Sequence, residues 1–309
     1  MSEVSKTRRH RLDGPYDLRQ TLLTGDYGRH HPCVQLFGDD PRTVTLHQAT
    51  HAQTPHASEG PVSFRVQVRA ADGEVAAEAW GPGADWFLES MPLLLGLDDR
   101  PPALGGRLGR LQRRVPGVRQ GRAPNVFELL VHTVIRQRVA WRDAVTTQRE
   151  ILRAHGQPAP GPLGLTLPLA PAQWHGLSAT DLAVTGLERK RARTILEVAA
   201  RARHIAEWST LAPAEFAAKI ELLPGIGPWT SATVRAMGLG DVDAVPVGDY
   251  DLPSLVSWVL ADEPRADDAR MLELLAPWAG MRFRVVHQLW ASGITAPRFG
   301  PRIRGQRPR

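Results

Sequence analysis

Strict alternation of apolar and polar positions is confined to the first third of the chain. Val62-Ser63-Phe64-Arg65-Val66-Gln67-Val68 follows period two, Asp72-Gly73 supplies a turn, and residues 75–80 resume the strand. That pattern predicts a β-hairpin. Residues 34–37 and 43–47 are shorter strand candidates, and 86–95 change to helical spacing. Pro101-Pro102 and Gly105-Gly106 then mark a boundary. Beyond it the period is helical almost throughout, predicting helices over 108–115, 126–139, 142–155, 189–207, 212–222, 229–237, 253–260, 266–275 and 282–291. Residues 156–171, rich in Pro and Gly, read as a long loop, and no solenoid-length repeat is present. The expected fold class is α+β. A small N-terminal α/β domain spans 14–104 and a mostly helical domain spans 105–295, with disordered basic tails at 1–13 and 296–309.

A chain of 309 residues can hold two domains and a sizeable core. Its formal charge of +6 favours a polyanionic partner. Nearly all of the positive charge is arginine, since lysine occurs only at Lys6, Lys190 and Lys219. One cysteine, Cys33, excludes an intramolecular disulfide and a four-cysteine cluster, and His30, His31 and Cys33 have no metal-ligand spacing. No apolar run is long enough to span a membrane, and the polar, basic start has no secretory core. A soluble, cytoplasmic protein is expected, nucleoid-associated if bacterial. The arginine-rich stretches 8–11 and 298–309 read as solvated tails, with nonspecific phosphate contact as the alternative.

The most informative stretch is Leu222-Leu223-Pro224-Gly225-Ile226-Gly227-Pro228-Trp229-Thr230, followed some twenty residues later by Val247-Gly248-Asp249-Tyr250. Two glycines around one apolar residue make a tight hairpin whose amides can point outward together. A helix opening at Pro228 adds its own unpaired N–H groups. Such a concave set of donors suits a phosphate, and glycine lets a nucleic-acid backbone approach closely. Gly225, Ile226, Gly227, Trp229 and Thr230 are therefore the phosphate-binding candidates.

Helix, Leu-Pro-Gly-Ile-Gly hairpin and helix, with Asp249 at this distance, resemble the bacterial DNA-3-methyladenine glycosylase II (alkylpurine glycosylase) family of the helix-hairpin-helix DNA glycosylase superfamily. The resemblance covers roughly residues 15–293 and is most specific over 125–139 and 222–255. It implies an N-terminal domain like half of the TATA-binding-protein fold, opened by a strand at Pro15-Tyr16-Asp17-Leu18, ahead of two helical subdomains. It also implies base excision from duplex DNA by a monomer.

Under that resemblance Asp249 is the catalytic carboxylate, stabilising cationic character at C1′ and orienting water. Asp251 is its rival, or the cap of the helix opening at Pro253. Trp229 stands where strand-cleaving relatives carry a Schiff-base lysine, so hydrolysis without lyase activity is expected. Its indole also suits a cationic, alkylated purine of the 3-methyladenine or 7-methylguanine type. Core packing is the alternative for Trp229 and for the second pocket aromatic, Tyr250.

Gln137 followed by Arg138 matches the family's gap-filling wedge, with arginine where leucine is frequent. The alternative for Arg138 is a solvated surface charge. Thr233 and Met281 stand where members can have pocket aromatics, and Leu23 or Thr24 where another is expected. Such a pocket would be roomier, admitting bulkier adducts or a narrower set of cationic lesions. Arg282 is either a phosphate contact or half of an internal ion pair. Arg107, Arg110, Arg113 and Arg114, and Arg189 to Arg193, would extend the DNA surface or simply be solvated.

Some members of the superfamily carry an iron–sulfur cluster, which the single Cys33 excludes here, and the resemblance implies a sodium or potassium ion on the carbonyls of Leu223, Gly225 and Ile220. The remaining alternatives are a glycosylase for bulky or deaminated bases and a noncatalytic damage-binding protein.

Overall fold

A computed structural model of the chain describes residues 5–22, 30–53, 58–69 and 72–297. Strand β1 (Lys6–Arg11) and helix α1 (Leu18–Leu22) precede β2 (Val34–Phe37), β3 (Thr45–Gln53), β4 (Ser58–Arg69) and β5 (Glu74–Trp80). The strands form one antiparallel five-stranded sheet in the order β1-β5-β4-β3-β2. The alternation in β4 puts Val62, Phe64, Val66 and Val68 on one face, where α2 (Ala84–Leu94) covers them. Phe64 and Phe87 stack there with centroids 3.7 Å apart.

Two expectations for the N-terminus are corrected. Arg8 to Arg11 do not lie in a disordered tail: they belong to β1, which pairs with β5 from Lys6↔Ala79 to Arg11↔Glu74. A basic edge strand looks like a tail because only one side is hydrogen-bonded and its charges resist further pairing. Residues 15–17 form no strand, and Leu18 begins α1. Leu23, Thr24 and residues 298–309 lie outside the described residues.

The helical region comprises α3 (Gly106–Arg114), α4 (Val126–Ile135), α5 (Trp141–His155), the two-residue strands β6 (Gln157–Pro158) and β7 (Thr166–Leu167), α6 (Pro171–His175), α7 (Ala179–Ala183), α8 (Arg189–Ala200), α9 (Ala202–Trp208), α10 (Pro213–Ile220), α11 (Pro228–Val234), α12 (Leu252–Ala261), α13 (Asp268–Leu275) and α14 (Arg282–Ala291). The single helix expected over 189–207 is broken at Arg201, whose φ of −115° and ψ of 16° leave the helical region without any Pro or Gly to signal it.

Two apolar cores result. The larger joins the sheet and α2 to α4, α8, α9 and α10. The smaller gathers α3, α12, α13 and α14. Helix α11 gives Val234 to the first and Ala232 to the second, so it lies along the seam.

Helix α4 is anchored to the sheet by polar contacts. Asn125 accepts from the Glu128 amide at 3.1 Å as its N-cap and donates to the His51 carbonyl at 3.0 Å. The buried Glu128 carboxylate accepts from the Thr50 hydroxyl at 2.6 Å and the His51 amide at 3.0 Å. At the other end, the buried Arg191 of α8 donates to the Ile135 carbonyl at 2.6 Å.

His31 and His287 are buried in these packed layers and His132 is half-buried. Burial lowers the pKa of His132 and His287 and takes that of His31 down to about 3. His31 stays neutral in the folded protein down to about pH 3, and His132 and His287 take up their protons at lower pH folded than unfolded, so the unfolded chain binds more protons below pH 6.5. Stability should therefore be flat above pH 6.5 and fall as pH drops toward 4.5, by up to about 1.4 kcal/mol per pH unit per histidine. Urea midpoints across that window would show it, and His31→Leu should flatten the slope.

Candidate active site and nucleic-acid interface

The hairpin after α10 is set by local bonds. The Leu223 amide donates to the Ile220 carbonyl and the Ile226 amide to the Leu223 carbonyl, both at 3.0 Å. Leu223 and Ile226 are buried and seat the turn in the larger core. Gly225 has φ +87°, and a Cβ there would meet Thr194 Oγ1 of α8 at 2.1 Å. Gly227 is extended and its position is sterically open.

Among the described residues, the amides of Gly225, Gly227, Trp229 and Thr230 donate no hydrogen bond. Unpaired donors at the start of a helix carry partial positive charge. The hairpin therefore offers an anion a ready set of N–H groups.

Asp249 lies in the loop that leads into α12. Gly248, at φ +89°, makes the preceding turn, and its amide donates to Asp268 of α13 at 3.1 Å. Oδ1 of Asp249 accepts from the amides of Asp251 at 3.1 Å and Leu252 at 3.0 Å. Oδ2 accepts from the indole Nε1–H of Trp229 at 2.9 Å. The capping contact expected of Asp251 thus belongs to Asp249, because an Asx turn from the earlier residue reaches the first amides of α12.

The other candidates fall in three places. Trp229 is half-buried beside Asp249, and the buried Thr233 donates its hydroxyl to the Trp229 carbonyl at 2.8 Å. Tyr250 is 86% exposed, and Met281, half-buried, precedes α14. Gln137 donates through Nε2 to the Gly225 carbonyl and to Thr230 Oγ1, both at 2.9 Å. Its amide is occupied by the hairpin, which leaves the exposed Arg138 at the tip of the turn, with φ +56°. A non-glycine residue in that region is uncommon, and its strain is often tied to function.

Arg282 does not present a free guanidinium. It grips Asp243 through Nε at 2.8 Å and Nη2 at 2.5 Å, so the ion-pair alternative is the one observed. Asp243 is held well below the usual carboxylate range, first by that bond. Arg107 is likewise paired with Asp262, whereas Arg110, Arg113 and Arg114 are exposed. On α8, Arg189, Lys190 and Arg193 are exposed, one or a few residues from Thr194, which touches the hairpin. Thr194 had no local signal in the sequence, because its role arises only when α8 is laid against Gly225.

Two small clefts, one between Pro102 and Gln288 and one between Phe127 and Trp174, open elsewhere. Neither is lined by Asp249 or Trp229. Trp229, on the helix along the seam, and Asp249 are each half-buried.

No family model matches the chain. In sequence it is 29% identical, over 170 residues, to the probable bifunctional transcriptional activator/DNA repair enzyme AlkA of Mycobacterium tuberculosis. That match covers 52% of this chain and 34% of the relative, so the chain spans about a third of the curated relative's length. In structure it is similar to the 3-methyladenine DNA glycosylase of Archaeoglobus fulgidus, with TM-score 0.75 and 17% identity, covering 91% of this chain and 96% of that one. It is also similar to the 8-oxoguanine glycosylase/lyase of Clostridium acetobutylicum, with TM-score 0.68 and 12% identity, covering 94% and 99%.

The chain therefore shares the fold of these DNA glycosylases. Its sequence similarity to the AlkA relative covers about half of the chain.

Proposed function

We propose that the protein excises alkylated purines, of the 3-methyladenine and 7-methylguanine type, from duplex DNA as a monofunctional, monomeric glycosylase initiating base excision repair. The observation that carries this reading is the Asp249 carboxylate, held by three N–H donors beside a hairpin of unpaired amides. The hairpin takes a phosphate and brings one nucleotide's sugar to the seam. There the anionic carboxylate stabilises positive charge developing at C1′ as the C1′–N bond breaks. Water adds to C1′, and its proton passes to Asp249 and on to solvent. The bonding electrons leave with the base, whose alkyl-derived charge they neutralise.

The same geometry supports hydrolysis without strand cleavage. Trp229 occupies the place beside Asp249, and Lys219 lies over the ring of Trp208, 5.8 Å from its centroid. Arg138, exposed at its turn, fills the gap left by the everted base, while Gln137 couples that turn to the hairpin. The carbonyls of Ile220, Leu223 and Gly225 each accept one hydrogen bond and keep a lone pair, which fits a structural sodium or potassium ion there. The reading assigns the protein no other cofactor and a cytoplasmic, nucleoid-associated location. No helix among the described residues is long and apolar enough to cross a membrane.

The test is base release from randomly methylated duplex DNA, resolved by chromatography. Release of 3-methyladenine or 7-methylguanine, leaving heat-labile abasic sites and no borohydride-trapped adduct, is expected. No release from any alkylated DNA would sink the reading. Tyr250, turned outward and so not closing the site beside Trp229, favours substituents larger than methyl as a second reading, and ethylated or benzylated DNA in the same assay tests it.

Lys190 and Arg193 extend the hairpin's phosphate surface. Replacing both by alanine should weaken binding on all sequences alike and lower the slope of log K against log salt by about 2. Filter binding at several salt concentrations measures it, and an unchanged slope would remove α8 from the interface.

A further inference from the structure

We infer that Trp229 is a positioning residue for Asp249, acting through its indole N–H and not only through its ring face. This rests on the base-excision reading and assigns a second role within that same site. The Asp249 carboxylate has two oxygens with unequal support. Oδ1 is fixed by two amides of α12, whereas Oδ2 is tied across the seam by one side chain, the Trp229 indole at 2.9 Å.

Without that bond the carboxylate keeps its capping contact but can turn about its last torsion, a broad and shallow one. With it, the plane of the carboxylate is set by a residue on α11, a helix packed into both cores. Thr233 tightens the arrangement by donating to the Trp229 carbonyl.

An indole N–H lies in the plane of its ring, so Asp249 sits at the edge of Trp229 and not over its face. A base stacked on that face lies in a parallel plane about 3.5 Å away. Its C1′, lying in the base's own plane, then stands above the plane of the indole and its edge-bound carboxylate by about that distance. One side chain therefore fixes both the plane of the base and the position of the charge that stabilises its departure. Fixing two reacting partners on a common frame lowers the barrier without tightening ground-state binding.

The decisive variant replaces Trp229 with benzothienylalanine, whose sulfur stands where the indole N–H was while the fused ring is kept. Trp229→Phe is its genetically simple companion, and Trp229→Leu removes both ring and donor. Single-turnover base release and binding to DNA carrying an uncleavable methylated purine analogue are measured for each. The first two variants are expected to lose about 10- to 100-fold in the rate of release while binding stays within about threefold. Trp229→Leu should lose both. A rate within twofold of the native protein for the benzothienyl variant would overturn the inference and leave Trp229 a stacking surface.

A readout independent of turnover is the ¹H–¹⁵N resonance of the Trp229 indole, identified by its loss in Trp229→Phe. It should move in Asp249→Ala, and an unmoved resonance would refute the bond itself. If the native protein releases no base but the resonance moves, base excision fails, and with it the positioning role.

Discussion

Asp249→Asn should abolish base release while leaving DNA binding and folding nearly intact. The amide carbonyl of asparagine can still accept from the Asp251 and Leu252 amides, so the entry into α12 keeps its cap. What disappears is the charge facing C1′. The asparagine Nδ2 would also meet the Trp229 Nε1–H donor to donor, which breaks that link. Losing a fixed anion aimed at developing positive charge is expected to slow release by about a thousandfold or more, roughly 4 kcal/mol of barrier. Melting temperature and affinity for an abasic-site analogue should change little. Single-turnover assays beside thermal melts separate the outcomes: a variant within tenfold of the native rate would remove Asp249 from the chemistry. Asp251→Asn serves as the control, since its side chain does not cap α12.

The parts of this site that were legible in the sequence are the ones whose physics is local. Gly225 ahead of Ile226 announces a turn because glycine takes its left-handed angle, φ +87°, without strain. Asn125 and Glu128 mark the start of α4, and the alternation from Val62 to Val68 marks β4, because capping and period two are near-neighbour effects.

Long-range partners were not legible. Gln137 carries a wedge-like pattern, yet its amide is spent on Gly225 and Thr230, about ninety residues on. Arg282 looks like a phosphate ligand until Asp243 is placed beside it. Lys6 to Arg11 read as a tail because nothing in six mostly polar residues says that β5 will pair with them. In each case the local sequence leaves two readings open, and the tertiary neighbour decides between them.

The two hairpin glycines should separate stability from binding. Alanine at 225 would have to hold φ near +87° and place its Cβ 2.1 Å from Thr194 Oγ1 and 3.1 Å from its Cβ and Cγ2. The left-handed backbone costs about 1–2 kcal/mol for an L residue. Forcing apart a packed β-branched side chain adds about 1–3 kcal/mol. Gly225→Ala is therefore expected to destabilise the fold by about 2–4 kcal/mol, read as a lowered urea midpoint with an unchanged slope. Thr194→Ala should restore part of the loss, because it removes Oγ1 and Cγ2 while the backbone strain remains; a double-mutant cycle then shows coupling between α8 and the hairpin. Alanine at 227 meets nothing within 4 Å and has an extended backbone that any residue adopts. Gly227→Ala should leave stability within about 0.5 kcal/mol of native. Its methyl group, however, adds bulk in open space beside the unpaired amides of Gly227 and Trp229, and is expected to hold a phosphate backbone away from them. DNA affinity should fall by about tenfold or more, the worth of one or two charge-assisted hydrogen bonds. A Gly227→Ala protein that binds DNA as tightly as the native one would show that the phosphate does not sit on this hairpin, however well the fold resembles proteins in which it would be expected to.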